Sequence, residues 1–265
     1  MAEASGMFRP HSRRFRFGPT AQVPVKSLLR GLVLVPMLLL GACAQLQPVE
    51  LPDAPASMAS SAPAWEVLDP GFTGDWHVLL NEGSTALDWR LLAIDSATET
   101  IDIQTFLLTL DTVGAAVIDH LIAAANRGVR VRFLIDDSFL MGEDELVMLV
   151  HEHENMSFRV FNPYLRRSGG AVTRQAMNLA EFHRLDHRMH NKAMIVDGHV
   201  AIVGGRNLAD EYFGLHPEAN FRDLELIVGG PVVRDISQAF VDYWNDDWSI
   251  PIDRLTHVQP EHVSE

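Results

Sequence analysis

Asp197-Gly198 stands between two aliphatic runs, Met194-Ile195-Val196 and Val200-Ala201-Ile202-Val203. Asp-Gly in that setting specifies a β-hairpin, because a tight primed turn needs positive φ at its central residues and these two tolerate it. The turn constrains more than its own strands. It brings the residues entering the first strand and those leaving the second to one edge of the sheet. Entering are Met189-His190-Asn191-Lys192; leaving are Gly204-Gly205-Arg206-Asn207. On an extended chain His190 and Lys192 point to the same face.

This set of side chains suits a phosphodiester. Such a reaction needs a nucleophile, donors for the non-bridging oxygens and an acid for the leaving alkoxide. His190 is the candidate nucleophile. Lys192 and Asn207 are the candidate clamps on the oxygens. Gly204 and Gly205 let the backbone come close to a bound anion. A nucleophilic imidazole also needs a carboxylate on its other nitrogen to fix the tautomer. Asp223, in the extended stretch Phe221 to Ile227, is the candidate for that role. Gln104, on an earlier strand, either contacts the phosphate or serves the backbone of its sheet. His151-x-His153 has the spacing of a metal pair, but it lies in an acidic helix end and reads as solvated. No metal or cofactor is expected.

Around this stretch, helical and extended patterns alternate. Ser84 to Ser96 reads as a helix and Thr100 to Leu107 as a strand. Asp111 or Thr112 caps a helix over Val113 to Asn126, which stops at Arg127-Gly128. Val129 to Ile135 is a strand, Glu143 to Glu152 a helix, and Ser157 to Phe161 a short strand. Leu165 to Arg188 reads as a long loop, and Val232 to Trp248 as an amphipathic helix. The succession predicts an α/β layered fold, with a mixed, mostly parallel sheet flanked by helices on both faces.

His190-x-Lys192, Asp197 and Gly204-Gly205-x-Asn207 together resemble in full the HKD signature of the phospholipase D superfamily. The resemblance extends from Leu79 to Trp244. Ile103-Gln104, Arg127-Gly128-Val129-Arg130-Val131, Phe161-Asn162-Pro163, Asp210-Glu211-Tyr212-Phe213 and Gly230-Pro231-Val232-Val233 are similar to the bacterial branch that includes cardiolipin synthase C. The resemblance implies metal-independent transfer through a phosphohistidine at His190. It implies a role for Asp197 that is more often structural than direct, and Asp223 as the orienting acid. Members of that branch carry two such motifs, and the second histidine protonates the leaving group. This sequence carries one. Either two copies pair, as single-motif nucleases of the superfamily do, or the chain is a truncated two-lobe enzyme; similarity to the lipid branch inclines toward truncation.

The implied substrates are membrane phospholipids, phosphatidylglycerol or similar, with cardiolipin as product if phosphatidylglycerol is the acceptor. The alternatives are a homodimeric nuclease using the same residues and an inactive one-lobe remnant. Formal net charge is −14, which disfavours nucleic acid as a partner. Charge is uneven, however: Phe158 to Arg206 is locally basic, with Arg159, Arg166, Arg167, Arg174, Arg184, Arg188, Lys192 and Arg206.

The N-terminal region is read as targeting. Arg9, Arg13, Arg14, Arg16, Lys26 and Arg30 precede the apolar run Gly31 to Leu40, and Leu40-Gly41-Ala42 precedes Cys43, the only cysteine. This order resembles a bacterial lipoprotein signal, cleaved before a cysteine that receives lipid. An ordinary signal peptide or short anchor is the alternative, although the apolar run falls short of the roughly 20 residues of a span. The expected organisation is a signal peptide over 1–42, a Pro/Ala/Ser-rich tether over 43–67 lipidated at Cys43, and one folded lobe over 68–265. Ala44 after the cysteine favours the outer membrane by resemblance to lipoprotein sorting. The expected location is therefore the bacterial cell envelope, lipid-anchored and periplasm-facing.

Overall fold

The structure, a computed structural model, describes residues 52–55, 74–138, 140, 150–164 and 182–255. Cys43, the signal segment and most of the tether lie outside the described residues. So do most of the helix expected at Glu143 to Glu152 and most of the loop expected at Leu165 to Arg188.

The elements in chain order begin with β1 (Trp76–Leu80), α1 (Gly83–Ser96), β2 (Thr100–Thr105), α2 (Thr112–Asn126), β3 (Arg130–Asp136) and β4 (Met156–Phe161). There follow α3 (Phe182–Leu185), β5 (Ala193–Val196), β6 (Val200–Gly204), α4 (Asp210–Phe213), β7 (Glu225–Gly229), α5 (Val232–Trp244) and β8 (Ser249–Pro251). Local chemistry sets several of these boundaries. Asp111 caps α2 by accepting from the Gly114 N–H at 3.1 Å. Gly128, at φ 94°, supplies the left-handed residue that ends that helix. α5 stops at Trp244 rather than Trp248, and β7 starts at Glu225, so Phe221 to Leu224 precede the strand.

The strands form one sheet in the order β1-β7-β6-β5-β2-β3-β4-β8. Only β2–β3 and β3–β4 are parallel. The other neighbouring pairs are antiparallel, so the α/β layering stands but the sheet is mostly antiparallel rather than mostly parallel. A strand–helix–strand order dictates parallel pairing only across a crossover such as β2–α2–β3. The Asp-Gly hairpin instead adds β5 against β2 in the opposite sense, and β6, β7 and β1 continue from it.

Helices cover both faces of the sheet. One core joins Ala86, Ala93 and Ile94 of α1 and Val113, Val117 and Leu121 of α2 to Ile101, Ile103, Val131, Phe133 and Ile135. The other packs Val233, Phe240, Val241 and Trp244 of α5 onto Leu134, Ile195, Ala201 and Val228. β2 is buried along its whole length, as a strand covered on both sides must be. The C-terminal ends of β2, β3 and β4, the start of β5 and the end of β6 all meet at one edge of the sheet.

Candidate active site

That shared edge holds His190. The segment leading to it is held by buried polar side chains. Asp136, at the end of β3, accepts from the Met189 N–H at 3.0 Å and from Arg188 Nη1 at 3.2 Å. Arg188 Nη2 also donates to the Asn162 carbonyl at 2.6 Å. Asn162, in the left-handed region at φ 47°, donates its amide to the carbonyls of Arg184 and His187 at 2.9 and 2.7 Å. The positions before the motif are thus tied to the ends of β3 and β4.

His190 itself is exposed, and its ring lies 4.7 Å from the ring of Phe106. Lys192 is buried; its Nζ donates to the His190 carbonyl at 2.8 Å and lies 5.1 Å from the Phe106 centroid. Burial pushes the Lys192 amine down to about 8, while the Asp223 and Asp136 carboxylates pull it back up. Asn207 is anchored through its Oδ1, which accepts from the Leu107 N–H at 3.2 Å. That bond fixes the orientation of the amide. Phe106 and Leu107, consecutive after β2, therefore join the two halves of the motif: one packs on His190, the other holds Asn207. The sequence reading missed Phe106. The available signal was that it directly follows a strand beside the motif.

Other expected residues do different work. Asp197 lies in the hairpin turn with φ 52°, at the far end of β5 from His190. Its buried carboxylate accepts from the N–H groups of Thr98 and Glu99 at 2.8 Å, of Thr100 at 2.7 Å, and from the Thr98 hydroxyl at 2.8 Å. Burial raises its pKa, but these donors outweigh that and hold it below the ordinary value of 3.8. Asp197 thus latches the hairpin to the α1–β2 loop. Gln104, buried on β2, donates its Nε2 to the Met189 sulfur at 2.9 Å.

Gly204 and Gly205 are explained by a close approach within the protein. A Cβ at Gly204 would lie 2.4 Å from the Leu224 carbonyl oxygen, and one at Gly205 would lie 2.4 Å from Asp223 Oδ1. The Gly205 N–H donates to that same carbonyl at 3.2 Å. The glycines thus admit the segment before β7, which carries Asp223 to the site. Among the described residues no hydrogen bond joins Asp223 to the His190 ring; its position is against Gly205 and within the field of Lys192. Arg206, between the glycines and Asn207, is buried and donates to the carbonyls of Tyr212, Leu80 and Asn81 at 3.0, 2.9 and 2.7 Å. It also pairs with Glu225, which is bound by Arg90 as well. This buried triad ties α1, the segment after β6 and β7 together, and sequence reading did not find it.

His151 and His153 serve the backbone: their Nδ1 atoms accept from the N–H groups of Phe158 and Asn155 at 3.0 and 3.2 Å. Among the described residues no group of side chains suits a metal ion.

A family model described as cardiolipin synthase, PLD-like domain, matches residues 91–244. The chain belongs to the phospholipase D-like family. The matched stretch runs from within α1 to the end of α5 and contains every residue of the edge described above. A relative from Helicobacter pylori strain J99, described as an uncharacterized protein, is 39% identical over 181 residues, covering 68% of this chain and 36% of the relative. Cardiolipin synthase C of Escherichia coli K12 is 39% identical over 175 residues, covering 66% of this chain and 36% of that protein. The chain thus spans about a third of the length of these curated relatives. Among solved structures, NucT from Helicobacter pylori superposes with a TM-score of 0.49 at 14% identity, covering 67% of this chain and 99% of NucT.

Proposed function

We propose that this chain supplies one half of a phospholipase D-type site that transfers or hydrolyses phosphatidyl groups of membrane phospholipids. The observation that carries the reading is the exposed His190 ring beside the buried Lys192 amine, with Asn207 held by the residue next to Phe106. Likeness to cardiolipin synthase C supports a lipid phosphodiester over other substrates.

In this reading an imidazole nitrogen of His190 attacks phosphorus. A P–N bond forms and the P–O bond to the headgroup alcohol breaks. Lys192 and Asn207 hold the non-bridging oxygens as their charge redistributes. The departing oxygen takes a proton from a second histidine, supplied by another copy of the lobe or by a further lobe. Water or an alcohol then attacks phosphorus and gives its proton to that second histidine, the P–N bond breaks and the His190 imidazole returns. With phosphatidylglycerol as both donor and acceptor, glycerol leaves first and cardiolipin is the product. Asp223 is proposed to orient the His190 ring once substrate draws the site together. Lipidation at Cys43 would hold the lobe at its substrate surface in the cell envelope.

The test sets phosphatidylglycerol liposomes against plasmid DNA. Turnover of the lipid, lost in His190→Ala, supports the reading. Cleavage of DNA without lipid turnover moves the chain to the nuclease alternative.

A further inference from the structure

Three parts of the site meet at Phe106. Its ring lies 4.7 Å from the His190 ring at an interplanar angle of 55°, and its centroid lies 5.1 Å from the Lys192 Nζ. Both separations are attractive ones: tilted rings pair at roughly 4.5 to 7 Å, and a cation is held within about 6 Å of a ring centroid. The ring's own place is set by the backbone on either side. Phe106 directly follows β2, which is buried throughout. Leu107, the next residue, is held by three bonds. Its N–H donates to Asn207 Oδ1 at 3.2 Å, and its carbonyl accepts from the Thr105 hydroxyl and the Leu208 N–H, both at 3.1 Å.

His190 is the opposite case. Its flanking backbone is held, through the Met189 N–H on Asp136 and the Lys192 carbonyl, which accepts from the Gly204 N–H at 3.4 Å. Its side chain, however, is exposed and leaves an irregular stretch three residues ahead of β5. Among the described residues no hydrogen bond holds the ring. Its two side-chain torsions have several staggered or broad wells, and most of them turn the ring away from a given phosphate.

We propose that Phe106 is a positioning residue for the transfer: it holds the His190 imidazole in its attacking orientation and steadies the Lys192 ammonium beside it before substrate arrives. The inference rests on the phosphatidyl-transfer reading. Attack needs the ring nitrogen in line with the P–O bond that breaks, and a misplacement of about 1 Å can cost on the order of a hundredfold. One rigid ring against both groups keeps the nucleophile and the cation at a constant spacing. Through Leu107 the same turn also places Asn207, so the two residues after β2 set nucleophile, cation and amide together. Asp223 takes its part later, once a phosphate is bound.

The test compares Phe106→Leu, which keeps apolar bulk without a ring, with Phe106→Tyr, which keeps the ring, in the full chain acting on phosphatidylglycerol vesicles. Phe106→Leu should lower kcat about 10- to 100-fold while KM stays within about threefold, because the loss falls on the attack and not on binding. Phe106→Tyr should keep kcat within about twofold. Thermal unfolding of both should stay close to wild type, because the side chain is only half-buried. Should the leucine variant fail to fold, Phe106→Met makes the same comparison. A second readout needs no turnover. In histidine-labelled protein, with His190 assigned from His190→Ala, its imidazole signals should move in Phe106→Leu as the ring current is lost, and stay in Phe106→Tyr. A leucine variant with wild-type kcat, or with unmoved His190 signals, overturns the role of Phe106. If the wild type turns over no phosphodiester at all, the transfer reading fails separately, and the His190 signals still decide whether Phe106 holds the ring.

Discussion

The Nζ of Lys192 donates to the carbonyl oxygen of His190 at 2.8 Å, so the buried amine is folded beneath the residue it is proposed to assist. This bond lets the protein hold an amine at a partly desolvated edge before any phosphate arrives. A bound phosphate would take over much of the charge compensation.

Burial sets the amine's titration. With Lys192 pushed down to about 8, the clamp is charged below that pH and neutral above it. We predict that kcat/KM falls as pH rises through about 8, and that the limb on kcat lies higher because a bound phosphate favours the charged amine. Lys192→Met should cost about 10²- to 10³-fold at neutral pH. Lys192→Arg, charged at every pH tested, should lose the alkaline limb. A wild-type profile flat to well above pH 8 would contradict this.

Asp197 should matter for stability and little for chemistry. Removing its carboxylate strands three backbone donors at the foot of the sheet, so Asp197→Ala should lower unfolding free energy by about 3 kcal/mol. Its folded pKa is depressed, so its contribution is present above the ordinary 3.8 and is lost as pH falls through the lower folded value. Urea melts at several pH values read this out. The fraction that remains folded should keep the wild-type kcat.

The two glycines should separate stability from site geometry. A methyl at Gly204 meets backbone of Leu224 and Glu225, so Gly204→Ala should cost about 1–3 kcal/mol. At Gly205 the methyl meets only the Asp223 side chain, which can swing aside. Gly205→Ala should therefore cost less stability and more activity. Paired denaturation and rate measurements check the contrast, and equal effects on both would refute it.

Glu225 stands between two buried arginines, with Arg90 Nη1 at 2.7 Å and Arg206 Nη1 at 3.5 Å. Its removal leaves two guanidiniums without their carboxylate in the core. Glu225→Ala should destabilise the protein by about 3–5 kcal/mol in denaturant titrations. A loss below about 1 kcal/mol would show that the arginines' carbonyl contacts suffice.

Much of this layout was legible in the chain, and the failures have causes. Asp197-Gly198 specified its hairpin because positive φ is a local demand, met by φ 52° and 66°. The periods of α1, α2, β2 and β3 gave elements within a few residues of those observed. Sheet direction was misread because pairing between β5 and β2 is non-local, and strand order in sequence says nothing of it. Sequence also cannot show what passes close to the glycines: the Leu224 carbonyl at Gly204 and the Asp223 side chain at Gly205. The Arg90–Glu225–Arg206 triad spans α1, the segment after β6 and β7, and no single-strand or single-helix period marks it. Asp223 was expected on the His190 ring; in the structure it lies against Gly205, ahead of a strand that begins only at Glu225.

The central claim is that His190 becomes covalently phosphorylated. An active preparation should be mixed with phosphatidylglycerol bearing ³²P, quenched rapidly under conditions that preserve phosphoramidates, digested and sequenced by mass spectrometry. The account predicts a phosphatidyl adduct on the His190 peptide, absent in His190→Ala and chased by added water or alcohol. Label on any other side chain, or turnover with no adduct on His190, would contradict it.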